Sequence, residues 1–383
     1  MIAALVWRNA FRHKLRTLLT VTGLTVAVLA FGLLSTVVDA WYAGAESASA
    51  ARLVTRNAIS LVFPLPLAYK NKIRAVDGVR DITTSNWFGG VYKEPKNFFP
   101  QFAVEAESYL RLYPEYVLDD DERRAFLRDR RGAIVGSRLA ATYGFKVGDI
   151  VALKGTIFPG PWEFVVRGIY RGGKPNTDVS QMVFHWDYVN ETITKRIPRR
   201  ANQVGVFVVA IDPERAAEVS LAIDKEFKNS AYETLTETEK AFQLGFVSMT
   251  EAIVVAIRIV SYLVIAIILA VMANTMAMTV RERTAEYATL KALGFGPGFV
   301  AALIFGESLA IAAVGGVLGI AATFPVAQIF GAAMGSLFPV FLVSPETVGL
   351  QLLCSLAVGF LAALLPARRA ARVNIVEGLR SVG

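Results

Sequence analysis

The sequence predicts an α-helical membrane protein with four transmembrane helices and an α+β extracytoplasmic domain inserted between the first helix and the second. Composition is the first observation: the 383 residues are 54% apolar and 19% charged, with a mean hydropathy of +0.46. That is too apolar for an ordinary soluble chain and too charged for one lying wholly in lipid. The second is the recurrence of uncharged runs long enough to cross about 30 Å of hydrocarbon, which takes about 20 residues. The third is the placement of lysine and arginine beside those runs.

Residues 1–16 form a short amphipathic helix. Ala4, Trp7, Phe11 and Leu15 line one face, and Arg8, Arg12 and Arg16 recur at four-residue intervals on another. Such a helix lies in the membrane interface with its basic side toward lipid phosphates. The first span is 17–38. It reads as a retained helix and not a cleavable signal, because its apolar run exceeds the roughly 7–15 residues of such a segment and no small-residue cleavage site precedes Asp39. The second span is 252–280, with an uncharged run from Ile259 to Val280, and it leads into a charged cytoplasmic helix and turn at 281–297. The run from Ser308 to Pro345 carries no charge; Pro325, Gly331, Gly335 and Pro339 break its far half, so one span is expected over 298–325 and a short extracytoplasmic segment over 326–346. The last span is 347–366 and the tail is 367–383.

Orientation follows from the basic residues. Arg8, Arg12, Lys14, Arg16, Arg281, Arg283, Lys291, Arg368, Arg369, Arg372 and Arg380 flank the spans on one side, and the segment 331–346 has none. The positive-inside rule then puts both termini and the 281–297 turn in the cytoplasm and residues 39–251 outside. That insert holds 28 basic and 27 acidic residues, so the net charge of +8 comes chiefly from the cytoplasmic segments. The basic excess reports topology, and nucleic-acid binding loses its main support.

The insert opens and closes with segments of helical composition, 39–56 and 232–251, which read as a two-helix stem continuing the flanking spans. Between them AIVG at 133–136, DIVAL at 149–153, EFVVRGIY at 163–170 and VGVFVVAI at 204–211 read as strands, and Pro66–Val76, Asp120–Arg131 and Pro213–Lys228 as helices. Cys354, the one cysteine, lies in the last span, so the insert is held by a core without disulfides. It carries a single histidine, His185, and no His-Glu-x-x-His or Gly-x-Ser-x-Gly, which leaves metal hydrolysis and a serine nucleophile unsupported. No catalytic, cofactor or metal residue is assigned. Trp87, Phe88, Tyr92, Phe98, Phe99 and Phe102 form a dense aromatic stretch, read as core or as an apolar patch.

No Gly-x-x-x-x-Gly-Lys-Ser/Thr loop occurs, so the chain holds no nucleotide by that device. At the 281–297 turn, Glu282 and Glu286 repeat at helical spacing, and like charges so placed need a basic neighbour. The functional reading seats them against arginine or lysine of a partner while Leu290 and Leu293 fill an apolar groove; the plainer alternative is a solvated turn. Glu307 is the acid inside the third span, expected to serve packing or coupling, and Gly315 and Gly319 form a Gly-x-x-x-Gly pair suited to close helix approach, including dimer contact.

Four stretches carry a resemblance: LVWRNAFRHKLRTLLTVTGLTVAV from Leu5, NTMAMTVRERTAEYATLKALGF from Asn274, ESLAIAAVGGVLG from Glu307 and PARRAARVNIVEGLR from Pro366. GSRLAATYGFKVGDIVAL from Gly136 and VVAIDPERAAEVSLAI from Val208 add to it. Together they resemble the MacB/FtsX-like (type VII) ABC-transporter permeases. The resemblance implies a non-enzymatic permease in the bacterial plasma membrane, beside a second copy or a paralogue. It also implies two cytoplasmic ATPase subunits that hold ATP and magnesium, contact with membrane lipids, and an extracytoplasmic partner protein. Residues 1–16 then match an elbow helix, and Arg281, Glu282, Arg283, Glu286, Leu290, Leu293 and Gly294 an ATPase-docking segment. ATP-driven motion would reach the external domain and export or extract a hydrophobic, lipidated or peptide substrate. A scaffold that activates an outside partner such as a cell-wall hydrolase, and a membrane-anchored enzyme with its site in 57–231, are the other readings.

Overall fold

A computed structural model describes residues 2–10, 12–334, 338 and 340–373, with side chains from Val6 onward. The elements begin with α1 (Ile2–Ala10), α2 (Lys14–Ser47), β1 (Arg52–Asn57), β2 (Leu65–Pro66), α3 (Tyr69–Arg74), β3 (Asp81–Trp87), β4 (Gln101–Val104), α4 (Ala106–Leu112) and β5 (Tyr116–Val117). They continue with α5 (Asp120–Arg128), β6 (Gly132–Gly136), α6 (Ser137–Tyr143), β7 (Ile150–Gly155), β8 (Gly160–Gly172), β9 (Met182–His185), α7 (Trp186–Arg196), β10 (Gln203–Val204) and β11 (Val206–Ala210). The last are α8 (Ala216–Glu226), β12 (Thr234–Thr238), α9 (Glu239–Ser248), α10 (Glu251–Glu282), α11 (Thr284–Ala292), α12 (Pro297–Ala333) and α13 (Pro345–Ala371). Two compact units result: Met1–Ala40, Thr250–Met334 and Phe341–Gly383 in one, Trp41–Met249 and Gly335–Val340 in the other.

The first unit is helical, and its α2, α10, α12 and α13 are the four described helices long and apolar enough to span a bilayer. Small residues on α12 set how closely they pack. A Cβ at Gly319 would stand 2.7 Å from the Val28 Cβ and 2.9 Å from the Thr25 carbonyl oxygen, and one at Gly315 2.9 Å from Leu24 Cδ2. The Gly-x-x-x-Gly face is therefore filled by α2 of the same chain, which corrects its reading as a contact between copies. On the other side a Cβ at Gly359 of α13 would meet the Ala312 Cβ at 2.5 Å. Where α2 meets α13, Gln351 is fully buried and donates to the Val28 carbonyl at 2.9 Å and to Thr323 Oγ1 at 2.8 Å. Within α2, Asp39 accepts from Ser344 and Thr347 at 2.8 Å each, and Ser344 caps α13 by accepting from the Thr347 amide at 3.0 Å.

Gly319→Val should therefore force α2 off α12. Overpacking of this kind costs about 1–3 kcal/mol. The thermal midpoint of the detergent-solubilised protein should fall, while Gly349→Ala, which meets nothing within 4 Å, should leave it level or raise it. Equal midpoints for the two variants would contradict this packing.

The third span runs past its expected end. α12 runs through Pro325 to Ala333 and does not stop there, because inside a packed apolar helix neighbouring turns accommodate the missing amide. Residues 335–337 and 339 of the expected segment 326–346, and 374–383 of the tail, lie outside the described residues.

The second unit is built on a mixed sheet. Among the described residues ten strands join it in the order β12-β1-β11-β3-β4-β9-β6-β8-β5, with β7 beside β8, while β2 and β10 pair separately. β4 with β9 and β6 with β8 are parallel, and the other pairs are antiparallel. Both faces are covered, as alternation along a strand requires. Met182 and Phe184 of β9 enter one core with Phe88, Trp162 and Phe164, whereas Val183 enters the other with Tyr109, Phe126 and Tyr170. The aromatic stretch divides accordingly: Phe88 and Phe99 are core, and Trp87 and Phe98 are exposed. His185 is buried, its Nε2 lies 2.8 Å from the Phe126 carbonyl oxygen, and burial lowers its pKa below the usual range.

The expected two-helix stem is only half helical. α2 ends at Ser47, and Arg52–Asn57 is a strand between β12 and β11; residues 234–238 are likewise β12, with α9 following. Pairing wins over local helical composition: Arg52–Thr55 is buried on both faces between β11 and β12, and Thr234-Leu235-Thr236 buries alternate residues against β1.

Arg52 fastens this corner. Its Nε donates to Glu239 at 2.7 Å, Nη2 to Glu115 at 2.7 Å and Nη1 to the Leu112 carbonyl at 2.8 Å, and the guanidinium lies 4.1 Å from the Tyr113 ring centroid. Glu239 also accepts from the Ser49 amide at 2.8 Å and the Tyr113 hydroxyl at 3.0 Å. Burial alone would lower the guanidinium's pKa, but the hydrogen bond to Glu115 and the charge of Glu239 hold it above the ordinary value.

Candidate functional site

The charged end of the helical unit gathers most of the residues singled out by sequence. α10 ends at Glu282, and α11 starts at Thr284 after the single intervening residue Arg283. The chain barely leaves the helical path, because the Arg283 amide still bonds the Thr279 carbonyl at 3.2 Å and the Tyr287 amide the Arg283 carbonyl at 3.1 Å. α11 closes on Gly294, whose φ of +94° suits glycine. The Phe295 amide reaches the Leu290 carbonyl at 3.1 Å and the Gly294 amide the Lys291 carbonyl at 3.0 Å, a Schellman closure. Pro297 then opens α12 at a position where its missing amide is no loss.

Four cations tie α11 and the end of α10 into this unit. Arg16 on α2 forks onto Glu282, both contacts at 2.7 Å. Arg12, in the bend between α1 and α2, meets one oxygen of Glu286 at 2.6 Å, and Arg283 meets the other at 2.8 Å. Arg283 also reaches inward to Glu307 of α12 at 2.7 Å, where both side chains are buried, and its guanidinium lies 5.4 Å from the Tyr287 ring centroid. Lys291 donates to the Ala371 and Val373 carbonyls at 2.6 and 2.9 Å, closing the C-terminal end of α13.

The basic partners of Glu282 and Glu286 are thus residues of this chain. Arg12 and Arg16 were expected to face lipid phosphates, and the structure places them in these ion pairs. Their four-residue spacing mirrors that of Glu282 and Glu286, a complementarity that was legible once the two segments were set side by side. Leu290 packs against the buried cluster that includes Tyr287, Val300, Ile304 and Ala367. What remains outward is the tip of the turn: residues 292–298 are exposed in an unbroken run, with Leu293 at 72% and Phe295 at 43%, and Phe295 stacks on Phe299 at 4.6 Å. Arg281, Trp7 and Arg8 are exposed as well, and Phe11 lies outside the described residues. Phe295 and Lys291 were not singled out; the apolar step after the glycine was the available signal for the first.

Each of the carboxylates Glu282, Glu286 and Glu307 in this cluster pairs with an arginine. The arrangement leaves an exposed apolar tip on the helical unit.

Comparison with known proteins places these features. Residues 17–226 match the MacB-like periplasmic core domain and residues 258–375 the FtsX-like permease C-terminal domain. An uncharacterized ABC transporter permease of Methanocaldococcus jannaschii is 25% identical over 403 residues, covering 99% of this chain and 97% of that one. The macrolide export ATP-binding/permease protein MacB of Shewanella oneidensis is 24% identical over 269 residues, which is 70% of this chain but 38% of that protein. Among solved structures, the extracellular domain of the ABC-type transporter YknZ superposes with a TM-score of 0.36 at 13% identity, covering 49% of this chain and 100% of that one.

Proposed function

Because the chain belongs to the MacB/FtsX-like family of ABC-transporter permeases, we propose that it is the membrane subunit through which a separate ATPase moves the inserted domain. The charged end of the helical unit faces the cytoplasm of a plasma membrane, and the sheet unit lies outside. The 292–298 tip seats Leu293 and Phe295 in an apolar groove of the ATPase, and Arg281 meets its rim. Two such ATPases, each holding ATP and magnesium, work on two permeases, this chain and a second copy or a paralogue. The motion exports or extracts a hydrophobic, lipidated or peptide cargo. The observation that supports the reading best is the contrast within one turn: the carboxylates are spent inside the chain while the apolar tip is left open.

The test is co-purification. An ATPase should accompany the gently solubilised wild-type protein. Leu293→Asp with Phe295→Asp should remove most of it, because each charge would be buried without a partner, while the variant keeps the wild-type thermal midpoint. Undiminished association in the double variant, or no ATPase with the wild type, would overturn the assignment.

A further inference from the structure

One end of the sheet carries large apolar side chains that its cores leave out. It is the end where β1 and β3 finish and β4 and β11 begin, as their antiparallel register fixes. The opposite end takes the segments that lead to the spans: α2 ends at Ser47 just before β1, and α9 follows β12, whose Thr238 lies opposite Leu53. In the loop after β1, Ile59 and Val62 are 82% and 85% exposed, and Phe63 is exposed beside them. Trp87, Phe98 and Ile157 make a second exposed patch. The Trp87 and Phe98 ring centroids are 6.1 Å apart, and a Cβ at Gly89 would stand 3.2 Å from both Ile157 Cδ1 and Trp87 Nε1. Apolar surface gathered in this way marks an interaction site.

A strip of cations borders both patches. Lys195, Arg196, Arg199 and Arg200, at the end of α7 and in the turn after it, are exposed, and no acid occurs from Thr192 to Ile211. Among the described residues none of the four has an ion-pair partner. Arginine just ahead of the strip is treated differently, since Arg130 is spent on Glu191 at 2.6 Å. Arg200 donates to the Ile157 carbonyl at 2.9 Å, which joins the strip to the aromatic patch. On its other side Gln203 of β10 donates to the Arg199 carbonyl at 3.3 Å, and β10 pairs with β2, which continues the exposed loop, Leu65 lying opposite Val204.

Unpaired cations beside apolar surface call for an occupant that is acidic and apolar at once, which a protein segment or an anionic lipid surface can be. Two observations favour protein. Three of the four cations are arginine and a tryptophan stands close by, the residue types enriched at protein interfaces and at their hot spots, where lysine is depleted. This end of the sheet also lies opposite the one from which the chain joins its spans.

We propose that this end of the sheet unit docks an acidic partner protein, a segment of which sets apolar side chains on Trp87, Phe98 and Ile157 and carboxylates on Arg196, Arg199 and Arg200. Docking here needs no nucleotide and no contact at the 292–298 tip. A chain that recruited no ATPase would still bind this partner.

The experiment pans random twelve-residue peptides displayed on phage against the full-length protein in phosphatidylcholine nanodiscs, with empty nanodiscs as counter-selection. The recovered peptides should combine several aspartates or glutamates with aromatic or aliphatic residues. A synthetic copy of the most enriched one should bind saturably. Trp87→Ala with Phe98→Ala, and separately Arg196→Glu with Arg199→Glu, should each weaken it about tenfold or more, while Lys240→Glu, an exposed cation on α9 at the opposite end of the sheet, should leave it level. The arginines make no ion pair, so their variant should keep the wild-type thermal midpoint. Phosphatidylglycerol vesicles should float no more of the nanodisc protein than phosphatidylcholine vesicles do. Flotation by phosphatidylglycerol that the arginine variant abolishes would assign the surface to lipid and overturn the proposal. Recovered peptides without an acidic excess, or affinity unchanged in both double variants, would overturn it equally.

Discussion

Arg52→Met should lower the unfolding midpoint of the sheet unit by on the order of 10 °C. Removing one partner of a buried ion pair costs about 3–5 kcal/mol, because the other charge is left without its counter-ion; for a unit of this size each kcal/mol moves the midpoint by roughly 2–4 °C. Here the abandoned partners are Glu239, itself buried, and Glu115, along with the Leu112 carbonyl. Methionine fills much of the same volume, so the loss is electrostatic and not a cavity. Arg52→Lys should fall between the two, since a point charge cannot reach Glu239, Glu115 and Leu112 together in the way the planar fork does. Adding Glu239→Gln to Arg52→Met should recover part of the loss by removing the stranded charge. The readout is the thermal transition of the full-length protein followed by tryptophan fluorescence, for which Trp162 and Trp186 are buried reporters in this unit. A midpoint for Arg52→Met within about 2 °C of wild type would show that the network stabilises nothing.

What the sequence made legible and what it concealed divide along a physical line. The four apolar helices could be read because burial in lipid is a property of each segment alone: twenty uncharged residues announce themselves without reference to any neighbour. The α+β character of the insert followed in the same way from runs such as EFVVRGIY. The stem was misjudged where Leu53, Val54 and Thr55 form a strand, because what selects a strand there is pairing with β11 and β12, far away in sequence, while the local count of alanine, serine and arginine favours helix. The candidate site shows the same limit more sharply. Each of Arg12, Arg16, Glu282 and Glu286 was singled out, but as groups offered to lipid or to a partner; the bonds that join them span more than 260 residues of sequence. Glu307 was marked by the cost of an acid in a span, and that cost is met by Arg283, which lies across the α11 turn. Periodicity reports which face a residue occupies and is silent on what the face meets.

Glu307→Leu should loosen the charged end of the helical unit while leaving the spans in place. The substitution strands Arg283, a side chain only 8% exposed, with Glu286 as its remaining carboxylate partner. Stranding a buried charge at about 3–5 kcal/mol should speed amide exchange across residues 284–292 by roughly a hundred- to a few-thousandfold. Exchange in α13, whose burial rests on glycine and alanine contacts with α12, should change little. Two further variants separate charge from shape. Glu307→Gln keeps the volume and one hydrogen-bond acceptor, so its effect should be smaller; the exchanged pair Arg283→Glu with Glu307→Arg should recover a substantial part of the protection, although Glu286 then faces a like charge and recovery stays incomplete. If the tip at Leu293 and Phe295 receives an ATPase, the loosened turn should bind it and fail to transmit, so that nucleotide hydrolysis continues without external work. The exchange measurement decides the structural part independently of any partner: wild-type protection over 284–292 in Glu307→Leu would mean that α11 is held by its other ion pairs and its apolar packing and that the buried pair does not set its position.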